Sequence, residues 1–196
     1  MTHVYRTTAA SAALLAAVFG LAGCGDSDKA TEQTSATAPA AAFNDADVEF
    51  ATRMIPHHQQ AVTMADLALQ KATTAEVKTL ATAIKAAQAP EIEQLSGWLK
   101  AWGKPVPTPG EHDGHTMAGM MNPQEMDDLT KASGSMFDRM WTDMMIKHHQ
   151  GAVAMAKTEQ TSGKDAASVA LAKTIQTAQT TEIATMQRLL GRLPVS

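Results

Sequence analysis

Met54-Ile55-Pro56-His57-His58-Gln59-Gln60-Ala61-Val62-Thr63-Met64-Ala65 returns 91 residues later as Met145-Ile146-Lys147-His148-His149-Gln150-Gly151-Ala152-Val153-Ala154-Met155-Ala156. The chain is therefore a duplication of a unit that carries a histidine pair. Both copies keep the pair while neighbouring positions drift, which points to a use for the imidazoles. The register continues without a gap. Leu80, Ala81 and Ile84 match Leu171, Ala172 and Ile175; Gln88, Glu91 and Ile92 match Gln179, Glu182 and Ile183; Leu99 matches Leu190. Each unit has a His-His half and a Gln-x-x-Glu-Ile half. Both are rich in Ala, Leu, Met, Lys and Gln, with apolar residues three and four apart, which predicts amphipathic helices. No segment reads as a strand. Two αα-hairpins joined by a long crossover predict an all-α four-helix bundle, because each hairpin alone would expose its apolar face.

The punctuation fits this reading. Asn44 with Asp47 three residues on is a helix N-cap pattern, and Ser135 with Asp138 is its repeat mate. Thr73 with Glu76 is a capping-box candidate for the second helix. Gly163 can close the third long helix, with Asp165 capping the fourth. Gly103, Pro105, Pro107, Pro109 and Gly110 break the chain between the units, and Asn122-Pro123-Gln124-Glu125 predicts a short capped helix with proline at its first position. The duplicated domain is placed at 44–196, with repeat 1 at about 44–103, the crossover at 104–134 and repeat 2 at about 135–193.

Upstream, Arg6 and the Ala- and Leu-rich run from Thr7 to Phe19 lead into Leu21-Ala22-Gly23-Cys24, which looks like a bacterial lipobox. Residues 1–23 are thus expected to be a lipoprotein signal peptide, with Cys24 carrying the lipid and residues 24–43 forming a polar tether. Such an anchor would hold the protein outside the cytoplasm at a membrane surface. Cys24 is the only cysteine, so no intramolecular disulfide is possible. The formal charge of the whole chain is −4, and the expected leader removes one arginine and no acid. A mildly acidic mature chain argues against nucleic acid as a partner.

At ~100° per residue, His57 and His58 fall on either side of Met54 on the apolar stripe, and His148 and His149 do the same beside Met145. Inward imidazoles need partners, since an unsatisfied buried one costs about 1–3 kcal/mol. Repeat logic offers Gln88 with Glu91 and Gln179 with Glu182, each pair on one helix face. Two readings stand. In one, the histidines ligate a metal, with Met54 and Met145 as soft co-ligands and the glutamates and glutamines supporting them. In the other, His, Gln and Glu form a buried hydrogen-bond network that only shapes the bundle.

Six of the seven histidines lie in the doublets or in the crossover run His112-Asp113-Gly114-His115-Thr116-Met117-Ala118-Gly119-Met120-Met121. His112, His115, Met117, Met120 and Met121 make this run a candidate capture loop, since thioether and imidazole together suit Cu(I). The stripe Met136, Met140 and Met144 reads as core packing. No Gly-x-Ser-x-Gly elbow, Gly-rich phosphate loop or Glu-x-x-His di-iron signature is present, and no acid/base constellation argues for an enzyme.

The duplicated Met-Ile-x-His-His-Gln-x-Ala-x-x-Met-Ala motif, the Met-x-Gly-Met loop with a following Pro-x-x-Met, and Gln-x-x-Glu-Ile resemble the bacterial secreted family known as domain of unknown function 305. The resemblance covers about residues 45–193. The matching positions are Met54, His57, His58, Gln59 and Met64; Met117, Gly119 and Met120; Met145, His148, His149, Gln150 and Met155; and Glu91 and Glu182. It implies a ferritin-like helical fold and, from some relatives, copper binding and tolerance in the cell envelope. The chain's His/Met loop is shorter than that of the Met-rich copper relatives. The expected function is therefore an anchored, extracytoplasmic copper-binding protein, with a purely structural or interaction module as the alternative.

Overall fold

The computed structural model describes residues 42–108 and 117–194. Cys24, the leader, the tether up to residue 41, His112 and His115 lie outside the described residues, while Phe43, expected at the end of the tether, stacks on Trp102 with ring centroids 4.8 Å apart. Five helices and, among the described residues, no strands make an all-α bundle: α1 Asp45–Lys71, α2 Ala75–Ala101, α3 Pro123–Lys131, α4 Gly134–Ser162 and α5 Ala166–Leu190. The hairpins α1–α2 and α4–α5 are the two repeats, and α3 is the short crossover helix. Within the bundle α1 lies against α4 at the centre, while α2 and α5 each pack chiefly on their own hairpin partner. None of the described helices is long and apolar enough to cross a membrane.

The core is split. One cluster takes Ala61, Met64, Ala65 and Ala68 from α1 with Phe137, Trp141 and Met145 from α4. The other takes Phe50, Ala51, Met54 and Ile55 from α1 with Ala152 and Ala156 from α4. Early residues of one central helix thus meet late residues of the other, so α1 and α4 run antiparallel about a pseudo-twofold axis. The histidine doublets fall between the clusters on both helices. Trp141 seals the seam by donating its indole N–H to the Met64 carbonyl at 2.9 Å. The expected Met136/Met140/Met144 core stripe holds only in part. Met140 and Met144 pack against the first cluster, but Met136 is 51% exposed.

Helix ends show where local reading succeeds and where the fold overrides it. Asn44 and Asp47 form a full capping box, as do Asn122 and Glu125 ahead of Pro123. Asp165 caps α5 through the N–H groups of Ala167 and Ser168, and Gly163 ends α4. Two expected caps are absent. The N-cap of α2 is Thr74, not Thr73, and makes no side-chain cap bond; the N-cap of α4 is Ser133, not Ser135, and makes none either.

A reciprocal arrangement across the axis explains both departures. Asp138 is fully buried and accepts from Thr73 N (3.1 Å), Thr74 N (2.8 Å), Thr73 Oγ1 (2.7 Å) and Thr74 Oγ1 (2.5 Å). Its repeat mate Asp47 accepts from Lys164 N (3.0 Å) and Asp165 N (2.9 Å). Each repeat therefore ties down the hairpin turn of the other. Burial works to raise the Asp47 pKa, but the backbone N–H of Asn44, with Glu159 and the N–H groups of Asp165 and Lys164, outweighs it and holds the carboxyl below its ordinary value. Beside it, burial pushes Glu159 up to about 7, with Asp47 adding to the rise and the Ser168 hydroxyl bond at 2.5 Å opposing it.

Candidate metal centre

The four imidazoles at the middle of the bundle are fully buried. Each doublet divides in the same way. The second histidine turns toward its own hairpin partner: His58 Nε2 is 2.7 Å from Glu91 Oε2, and His149 Nε2 is 2.8 Å from Glu182 Oε2. A carboxylate only accepts, so Nε2 carries the proton in each bond and a neutral ring keeps its lone pair on Nδ1. Neither Nδ1 has a hydrogen-bond partner. The glutamates themselves reach solvent, with side chains 16% and 21% exposed.

The first histidine of each doublet turns toward the axis. The His57 and His148 rings meet with centroids 3.8 Å apart and planes tilted by 40°. Neither ring has a well-formed hydrogen bond at either nitrogen. Burial pushes His57 down to about 3, and the nearby His58 adds to the shift; the Ala118 carbonyl opposes it weakly. Burial likewise holds His148 well below its ordinary value, followed by His57, His149 and His58. Both rings are thus neutral at pH 7 and present lone pairs to the bundle interior. Leaving such groups unpaired disfavours the fold by about 1–3 kcal/mol each.

The glutamines expected to meet the histidines do not bond to them. Gln88 is buried with both side-chain polar atoms unpartnered, as is Oε1 of Gln179. They sit one turn before the glutamates, and the carboxylates take the imidazole N–H. Met54 and Met145 are fully buried one turn before the doublets. Met121 is buried, and Met117 and Met120 are half-buried in the crossover. Among the described residues, no group of three or more His, Cys, Asp or Glu side chains is placed to hold a metal ion. The donors on hand are paired imidazoles, with thioethers on the same helices and in the crossover.

Motif reading did not single out Gln60 or Gly151, an equivalent pair of positions at which the two copies differ two residues after the doublets. Gln60 clasps the crossover, donating from Nε2 to the Met121 carbonyl at 2.8 Å and accepting the Met121 N–H on Oε1 at 2.7 Å. At the equivalent position in α4, Gly151 leaves room for the Ala118–Gly119 backbone. The break in the duplication at this pair was a signal in the sequence, alongside those at Pro56/Lys147 and Thr63/Ala154.

Residues 47–190 match the family described as Domain of unknown function (DUF305). The chain belongs to this family. A DUF305 protein of Streptomyces coelicolor, described as secreted, is similar over 77% of this chain and 97% of its own, at 31% identity and a TM-score of 0.69. A DUF305 fragment from Deinococcus radiodurans is similar over 76% of this chain and 98% of its own, at 32% identity and a TM-score of 0.70. CopM in its Cu(II)-bound form is 38% identical, over 74% of this chain and 95% of its own, with a TM-score of 0.66. CopM has also been solved in Cu(I)-bound and Ag-bound forms. No curated protein matches the chain. The DUF305 membership agrees with the resemblance drawn from the duplicated motif.

Proposed function

We propose that this DUF305 protein binds a soft monovalent metal ion, Cu(I) foremost, and buffers it outside the cytoplasm. The observation that carries the reading is the pair of neutral, fully buried imidazoles, His57 and His148, facing each other with no well-formed hydrogen bond at any ring nitrogen. A cation held between them would satisfy one lone pair from each ring and remove part of the cost of burying them. Two imidazoles supplemented by thioethers suit Cu(I), a soft ion that accepts few ligands. His58 and His149 would complete the donor set through Nδ1, each oriented by the carboxylate on Nε2, as metal-bound histidines usually are. Met54, Met145, Met117, Met120 and Met121 are the candidate thioether donors, with His112 and His115 as further capture residues. Copper- and silver-bound CopM, similar over nearly its whole length, supports this choice of ion. The lipobox-like leader supports anchoring through Cys24 at the outer face of a membrane.

The test is a competition titration. Purified protein lacking the leader and lipid is expected to withdraw Cu(I) from a chromogenic chelator at micromolar concentrations. The His57→Leu/His148→Leu double variant should lose that capacity while keeping its helical circular dichroism. No withdrawal by the unaltered chain would overturn the proposal and favour the structural alternative, for which the His58–Glu91 and His149–Glu182 bonds already provide a network.

A further inference from the structure

Any ion that reaches His57 or His148 must cross a closed surface, since both side chains are fully buried. The backbone of residues 117–121 lies across α4 at this level. The Ala118 carbonyl lies against His57. A Cβ built on Gly119 would stand 2.5 Å from the Lys147 carbonyl oxygen and 3.0 Å from that of His148. Gly119 also has φ +83°, a left-handed conformation that side chains disfavour. Gly151 presents the matching groove: a Cβ there would collide with the Ala118 carbonyl and stand 3.1 Å from Gly119 Cα. Two glycines thus let one backbone seat directly on another.

The seat is fastened from α1. Gln60 gives the Met121 peptide one donor and one acceptor, replacing the partners a strand would supply. Gln60 and Gly151 occupy equivalent positions in the duplication, one turn along each central helix from the inner histidine. The pseudo-twofold axis therefore brings the two unlike residues onto the same crossover segment. The Gly119–Gly151 contact lies outside the apolar clusters, which take only Met121 from this segment.

We propose that Ala118–Met121 is a latch over the His57–His148 pair, that Gln60 and Gly151 are the positioning residues that hold it shut, and that its opening sets the rate at which a soft metal ion reaches the buried imidazoles. The latch itself stands on geometry alone; only its role in metal uptake rests on the function proposed above. Local opening of a crossover segment is an ordinary route to a buried site, and the open fraction scales the observed rate.

The experiment measures carbethoxylation of His57 and His148 by diethyl pyrocarbonate in the metal-free, full-length protein, resolved by peptide mass spectrometry. Gly151→Ala improves the helix propensity of α4 while expelling the latch from its groove. Gln60→Ala removes both clasping bonds from the half-buried surface of α1. Each variant is expected to raise the modification rate at both histidines about tenfold, the effect of losing one or two hydrogen bonds from the closed state. Helical circular dichroism should stay intact, and Ag(I) uptake followed by stopped flow should accelerate by a similar factor. If Gly151→Ala fails to fold, Gln60→Ala alone decides. Unchanged histidine reactivity in a folded Gln60→Ala protein would overturn the latch and place access elsewhere, past Glu91 or Glu182. Faster modification with no Ag(I) uptake by any form would support the latch and overturn the metal reading of the site.

Discussion

The buried His57–His148 pair and Glu159 give the metal-free protein opposing responses to pH. His57 and His148 bind protons more weakly in the folded chain than in the unfolded one, because burial depresses both. Below about pH 6.5 the unfolded chain takes up protons that the folded chain cannot, so stability falls as pH drops from there toward about 3. Urea unfolding between pH 7 and pH 4 should show this loss, at up to ~1.4 kcal/mol per pH unit for each ring. His57→Leu/His148→Leu should flatten the slope. Glu159 has the opposite sign. Its folded pKa is raised from 4.5 to about 7, so its contribution is complete below about 4.5 and is lost as pH rises through 7. Glu159→Gln keeps an acceptor for Ser168 and has no charge to desolvate. It is expected to stabilise the protein at pH 8 by on the order of 1–2 kcal/mol and to change little at pH 4. The inward setting of the doublets was legible in the sequence from helical periodicity. Their division of labour was not: periodicity assigns a residue to a face, whereas the partner of His57 is its own image in the second copy, set by an axis that no local pattern encodes.

At the scale of elements, the duplicated hairpins could be read from the 91-residue register, and Asn44, Asn122, Gly163 and Asp165 mark helix ends as expected. The caps at Thr73 and Ser135 were misread because of Asp138: it is spent on the Thr73 and Thr74 groups instead of on Ser135, and the Thr73 hydroxyl donates to it instead of pairing with Glu76. Asp138 stands where a capping residue should, yet it reaches across to the turn between α1 and α2. A spacing rule cannot distinguish a carboxylate that closes its own helix from one that closes a distant turn. Asp138→Ala would strand the Thr73 and Thr74 N–H groups. It should cost about 2–4 kcal/mol in chemical denaturation, with protease nicking concentrating in residues 72–75. Asp138→Asn retains an acceptor and should lose less. Equal losses for the two variants would show that these bonds contribute little.

Among the described residues, two hairpins are pinned together by reciprocal Asp47 and Asp138 contacts, with a polar layer between two apolar clusters. An apolar layer at that level would make a more stable bundle. Ten of the chain's 13 methionines lie from Met117 onward, so the thioethers concentrate in the crossover and second repeat while the imidazoles divide evenly between repeats. That asymmetry was visible in the composition, whereas the descent of the crossover onto the seam at Gly151 depended on tertiary packing alone. The claim on which the functional reading depends is that the inner imidazoles themselves hold the ion. The most direct measurement is ¹⁵N NMR of the histidine rings as one equivalent of Ag(I) is added to the metal-free protein. The expected result is a large shift of a ring nitrogen in both His57 and His148, saturating at one equivalent. Saturable binding that moves only methionine methyl resonances and leaves both rings unchanged would contradict it.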